Sequence, residues 1–109
     1  MIDWLTTIKS RSPKAYHKCR NYLDRLARFG NELRRPISDY LRDGVYELRI
    51  RHLGINYRVL YGFVGKNVVL VSHGFTKEKA VPPTEIELAL RRLAKFRKNP
   101  AAHTSSEEY

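Results

Sequence analysis

One cysteine, Cys19, stands in a chain of 109 residues. A single thiol can close no internal disulfide and build no thiolate metal cluster. The four histidines, His17, His52, His73 and His103, are nowhere spaced i,i+4, and neither HExxH nor CxxC occurs. Without those ligand spacings no metal site is expected. Glycine-rich phosphate loops of the GxxxxGK type are missing, as is any Ser/His/Asp arrangement that a lone sequence can defend. No cofactor is expected, and metallo-, nucleotide-dependent and serine-hydrolase mechanisms are disfavoured. The longest uninterrupted apolar run, Val68-Val69-Leu70-Val71, is far below the roughly 20 residues of a membrane span. The start, Met1-Ile2-Asp3-Trp4, has neither the basic leader nor the apolar block of a secretory signal. The expectation is a cytoplasmic protein with no membrane partner.

Negative charge is the other scarce commodity. Eleven Asp and Glu face twenty-one Lys and Arg, a formal net charge of +10 and a pI near 10.1. A domain so basic attracts polyanions, because each phosphate contact also releases condensed counterions. Nucleic acid is the first-choice partner, with RNA ahead. An acidic protein that masks the charge is a compatible second. Hydrophobic residues at 42% and charged residues at 29% are ordinary for a globular domain, and the length suits one core.

Apolar residues Trp4, Leu5 and Ile8 recur at helical spacing, which predicts a short helix over 3–10. Ser12-Pro13 then offers a capping hydroxyl followed by proline at the first helical position. Ala15, Cys19, Tyr22, Leu23, Leu26 and Phe29 mark one apolar face of a helix over 13–29, with Gly30-Asn31 as its C-cap. Residues 31–44 contain Pro36, Asp39, Asp43 and Gly44 and read as an irregular connection. The period then changes from 3.6 to 2. Strands are predicted over Val45–Arg51, Ile55–Val64 and Val68–Phe75, joined by turn-like separators as an antiparallel meander. The third, apolar almost throughout, is expected to be central. Thr84 and Glu87 suggest a capping box opening a helix that runs to about Lys98. The expected architecture is α+β: N-terminal helices, an antiparallel three-stranded sheet and a C-terminal helix. Residues 1–98 form one domain in this reading and 99–109 a flexible tail.

The feature able to carry chemistry is a basic cluster on the sheet. Arg49 and Arg51 leave one strand on its polar face, Arg58 leaves the next, and Lys77 and Lys79 follow the third; only Glu47 interrupts them. Converging cations suit metal-free RNA cleavage. The 2′-hydroxyl attacks the adjacent phosphate, which needs a proton acceptor, charge stabilisation and a donor for the leaving oxygen. Arginine stabilises an oxyanion bidentately but is too basic to exchange protons. Lys77 and His73 are the nearby groups whose protonation can change; for His73 a structural role competes.

Four blocks carry a resemblance: Gly44-Val45-Tyr46-Glu47-Leu48-Arg49; Tyr57-Arg58-Val59-Leu60-Tyr61; His73-Gly74-Phe75-Thr76-Lys77; and Pro82 with Glu85-Ile86. In order and spacing, over about residues 3–97, the chain resembles the phage-related HigB-like branch of the RelE/ParE toxin superfamily. The resemblance implies a compact α+β toxin of a toxin–antitoxin pair. Such a toxin cuts mRNA without metal, often on the ribosome, and is neutralised by a cognate antitoxin that commonly carries a helix-turn-helix domain. By position, it makes Arg49, Arg58 and Lys77 the catalytic candidates, with Lys77 handling protons. Arg51, His73, Lys79 and Tyr57 are the RNA-binding candidates. The usual paired lysines appear here as Thr76-Lys77 followed by Glu78, RelE proper has lysine where Glu47 stands, and the family's N-terminal strand is missing. Two other functions compete: a ParE-like gyrase inhibitor that cuts nothing, and a catalytically inactive basic module that binds nucleic acid or a partner.

Overall fold

The computed structural model describes residues 2–33, 37–64, 68–76 and 81–98. Two helices, α1 (Ile2–Arg11) and α2 (Pro13–Phe29), lead through a 3-10 turn (Gly30–Glu32) into four strands. These are β1 (Ser38–Arg42), β2 (Val45–His52), β3 (Ile55–Val64) and β4 (Val68–Thr76), and a last helix, α3 (Pro83–Lys98), follows. The sheet is antiparallel throughout in the order β1-β2-β3-β4. The expected tail, 99–109, lies outside the described residues.

Helix α2 starts where the sequence predicts, and for the predicted reason. Ser12 takes the N-cap with extended backbone, its hydroxyl accepts from the Ala15 amide at 3.3 Å, and Pro13 occupies the first turn. Its end differs. Gly30 is right-handed, not a left-handed cap, and continues into the 3-10 turn. Glycine is needed there for space: a Cβ would lie 2.7 Å from Val69 Cγ2. At the other end of the molecule, Thr84 falls inside the first turn of α3, so it caps nothing. The Pro82 carbonyl accepts from the Glu85 amide at 3.0 Å instead, and the Glu87 carboxylate reaches across to Arg42.

The three-stranded sheet is corrected to four strands. Ser38–Arg42 lies in the stretch read as a connection, yet pairs with β2 through Ser38↔Leu48, Asp39↔Glu47 and Tyr40↔Tyr46. Its alternation is hidden because the register shifts between Tyr40 and Arg42, which spoils the period-2 signal. Polar residues are tolerated because it is an edge strand whose ladder partners come from β2. A buried hydrogen bond between the Ser38 and Tyr61 hydroxyls ties it down. The Asp43-Gly44 turn, both residues at positive φ (52° and 82°), is the tight hairpin connection that Asp-Gly favours.

β4 is likewise an edge strand and not central. It is apolar because both its faces are covered, not because strands flank it. Val69 and Val71 pack on the α1–α2 side, and Leu70 on the α3 side. The sheet thus separates two cores. The larger joins Leu5, Ile8, Ala15, Cys19, Leu23 and Leu26 to Leu48, Ile50, Val59 and Tyr61. The smaller sets Val45, Leu60 and Leu70 against Ile86, Ala89, Leu93 and Phe96. Trp4 sits over Gly74, where a Cβ would approach its ring to 2.4 Å; only glycine lets α1 lie so close to β4.

One helix cannot cover a face that two helices cover on the other side. α3 shields the part of its face around Val45, Leu60 and Leu70, while Arg49 and Arg51 beyond it stay exposed. That half-covered face holds the polar residues that follow. No helix among the described residues is long and apolar enough to cross a membrane.

Candidate functional site

Strand pairing arranges the half-covered face in rows. Arg49 on β2 stands opposite Arg58 on β3, and Arg58 opposite Phe75 on β4. The neighbouring row runs Asp39, Glu47, Leu60, His73 across all four strands. Directly opposed residues in a sheet lie within reach of each other's side chains, so two arginines and two carboxylates meet at one spot.

The residue that organises this spot is Glu47, which is completely buried. One of its carboxylate oxygens accepts from Arg49 Nε and the other from Arg58 Nη1. Arg49 also donates from Nη2 to Asp39 Oδ2 at 3.2 Å. The side chain of Arg58 is only 10% exposed while that of Arg49 is 44% exposed. A buried ion is costly unless paired and hydrogen-bonded, so Glu47 and Arg58 require one another. Arg49 is the cation that this arrangement displays to solvent, with its guanidinium held from two sides.

A second polar network flanks the first. His73 Nε2 lies 2.7 Å from Glu85 Oε2, and His73 Nδ1 lies 2.8 Å from Ser72 Oγ. Burial lowers the His73 pKa below its ordinary 6.5, against the opposing pull of Glu85 and with help from the Arg92 charge. The ring is therefore neutral at neutral pH, donating from Nε2–H to Glu85 and accepting at Nδ1 from the Ser72 hydroxyl. Arg92 donates to the Ser72 carbonyl at 3.0 Å. With both nitrogens engaged, His73 clamps the first turn of α3 to β4; its ring also stacks on Phe75, centroids 5.6 Å apart. Ser72 sits where the β3–β4 register shifts, which explains how two consecutive residues share one network.

The structure brings together Arg49 and Arg58 as the alternation predicts, with His73 two strands from Arg49 on the same face. Arg51 shares that face further along β2; its carbonyl accepts from Lys18 Nζ. Tyr57 is separated from the cluster. It is buried in the α1–α2 core, edge-on to Trp4 at 6.3 Å, because neighbours along a strand point to opposite faces. Lys77 and Lys79 lie outside the described residues. Sequence reasoning passed over Glu47, Asp39 and Glu85. The signal for Glu47 was available, since the same period that gathers Arg49 and Arg58 places it among them, whereas Asp39 lies on β1, whose alternation the register shift hides. Among the described residues, no group of three or more His, Cys, Asp or Glu is placed to hold a metal ion.

A family model described as phage-derived protein, Gp49-like, matches residues 6–94. The chain belongs to the Gp49-like family. That family lies within the RelE/ParE-like toxin group and is associated with phage toxin–antitoxin systems. The Gp49-like match takes in both cores except Trp4 and Leu5 at one end and Phe96 at the other, and every residue of the two polar networks, from Asp39 through Arg92. No curated protein and no solved structure matches this chain.

Proposed function

We propose that this Gp49-like protein is the toxin of a toxin–antitoxin pair, of the HigB-like kind, and cleaves ribosome-bound mRNA without a metal. The observation that carries this reading is the Arg49–Glu47–Arg58 bridge on an incompletely covered sheet face. Arg49, pinned through Nε and Nη2, presents a preoriented guanidinium to a phosphodiester. Preorganised positive charge stabilises the pentavalent oxyanion without reorganisation at the moment of reaction. Arg58, nearly buried, acts through Glu47 as a positioning residue. Proton transfer falls to Lys77, whose role comes from the family resemblance, because His73 has both nitrogens committed. A cognate antitoxin with a helix-turn-helix domain, and a cytoplasmic location, complete the proposal.

Expression of the wild-type chain should arrest growth and produce discrete mRNA cuts by primer extension. Arg49→Ala and Lys77→Ala should each lower cleavage by about 100-fold, the usual cost of one transition-state donor or one proton-transfer group. Intact mRNA with unimpaired translation would refute the nuclease. One feature favours a second reading. Asp39 and Glu47 balance the charges of Arg49 and Arg58, as in a network built for structure. A module that binds RNA without cutting it fits that balance, and salt-sensitive binding with no cleavage, even on ribosomes, would select it.

A further inference from the structure

Most of the net charge lies on the helices, not on the strands that carry the Arg49–Glu47–Arg58 bridge. Strands β1–β3 and their turns carry four arginines against three acids, whereas residues 2–30 carry seven Lys and Arg against only Asp3 and Asp24. On α2, Lys14, Lys18, Arg25 and Arg28 fall within an arc of about 80° at 3.6 residues per turn. They form a ridge about 21 Å long at 1.5 Å per residue. Lys14, Arg25 and Arg28 are exposed and Lys18 half-exposed. Among the described residues none of the four makes an ion pair, in contrast to Arg42, Arg49 and Arg58. Two are held in place by other means. The Arg25 guanidinium lies over the Tyr22 ring at 5.2 Å, and Lys18 Nζ donates to the Arg51 carbonyl at the end of β2. Asp24 stands about 80° round the helix from the ridge centre, one turn before Arg28 at the ridge's edge.

We infer that the outer ridge of α2 is a second nucleic-acid surface, one that docks the phosphate backbone of double-helical RNA independently of base sequence. Lysine and arginine on a rigid helix position a backbone but read no bases. A straight row of cations matches a stiff duplex edge better than a coiled single strand. The ridge lies on the opposite side of the sheet from the Arg49–Arg58 site, so it holds RNA that is not being cut. The choice of RNA over other polyanions rests on the function proposed above.

The probe is a fluorescein-labelled 2′-O-methyl RNA hairpin, which has the backbone but no 2′-hydroxyl to attack. Anisotropy titrations across 50–200 mM salt would compare wild type with R25Q/R28Q and with R91Q/K95Q, a charge-matched pair on exposed α3 positions. R25Q/R28Q should bind at least about tenfold more weakly, with a log–log salt slope shallower by about 2, close to one per lost phosphate contact. The α3 pair should change affinity less than about threefold. Equal losses in the two variants would reduce the effect to net charge and overturn the ridge. Equal affinity and slope for a DNA duplex of the same length, or ridge-dependent binding to phosphatidylserine vesicles without binding to the hairpin, would overturn the assignment to RNA. K14Q serves as a third variant should R25Q/R28Q unfold, with a slope change of about 1. Because the hairpin cannot be cleaved, failure here leaves the nuclease reading intact, and failure of the cleavage assay leaves this measurement standing.

Discussion

The half-covered sheet face and the outer face of α2 are both rich in arginine and lysine, yet they use that charge in opposite ways. On the sheet, Glu47 and Asp39 cancel Arg49 and Arg58, and the product is geometry: guanidinium groups that cannot wander. On the α2 ridge no cation makes an ion pair among the described residues, and the product is a long-range field. Compensated charge holds its place because the alternative is a bare buried ion. Uncompensated charge stays at the surface, where water and salt screen it within about 10 Å at 0.1 M. A count of basic residues cannot tell the two apart.

Several measurements break or sharpen this contrast. The largest effect is expected from Glu47→Ala, which removes the buried carboxylate that Arg58 donates to; loss of one partner of a buried pair costs about 3–5 kcal/mol. Urea denaturation should show that loss, and the double variant Glu47→Leu/Arg58→Met should recover most of it. A double variant no more stable than Glu47→Ala alone would mean that burial of charge is not what the pair settles. A conservative change comes next. Arg58→Lys keeps the charge but loses the planar fork, and should cost about 1–2 kcal/mol, in the range of one charge-assisted hydrogen bond.

A pH series tests the flanking network. His73 is lowered below 6.5 by burial, so below pH 6.5 the unfolded chain takes up a proton before the folded one does. Stability on this account is complete above 6.5 and falls with pH until the lowered His73 value is passed. His73→Gln should flatten that part of the profile, and a slope unchanged in the variant would assign it to another group. The smallest effects belong to the ridge. R25Q/R28Q should leave the urea midpoint near wild type in 0.1 M salt, because surface substitutions away from packed features change little. At low salt the variant should be slightly the more stable, since the ridge cations repel one another.

Legibility varied with how local the cause was. The start of α2 at Ser12-Pro13, the alternation along β2 and β3, and the shared face of Arg49 and Arg58 all follow from neighbours in the chain. Strand β1 does not. Its pattern, Ser38-Asp39-Tyr40-Leu41-Arg42, is interrupted by a register shift, and it becomes a strand because β2 offers an edge to pair with. The edge position of β4 was hidden because an apolar strand buried on two faces by helices reads like one buried between strands. The place of Tyr57 was legible too: the alternation that sends Arg58 to one face sends Tyr57 to the other, into the α1–α2 core. Glu47 was legible as a residue on the basic face, but not as its centre.

Residue order alone determined the three helices, three of the four strands, the basic excess and the face on which the arginines emerge. Those depend on periods of 3.6 and 2 and on capping chemistry, which act over a few residues. Tertiary structure decided which charges are cancelled. Glu47 and Arg58 are eleven residues apart along the chain, and Arg49 joins them only once β2 and β3 align. Pairing energy between buried ions depends on separation and dielectric, and both exist only after the sheet has formed and α3 has closed over part of it.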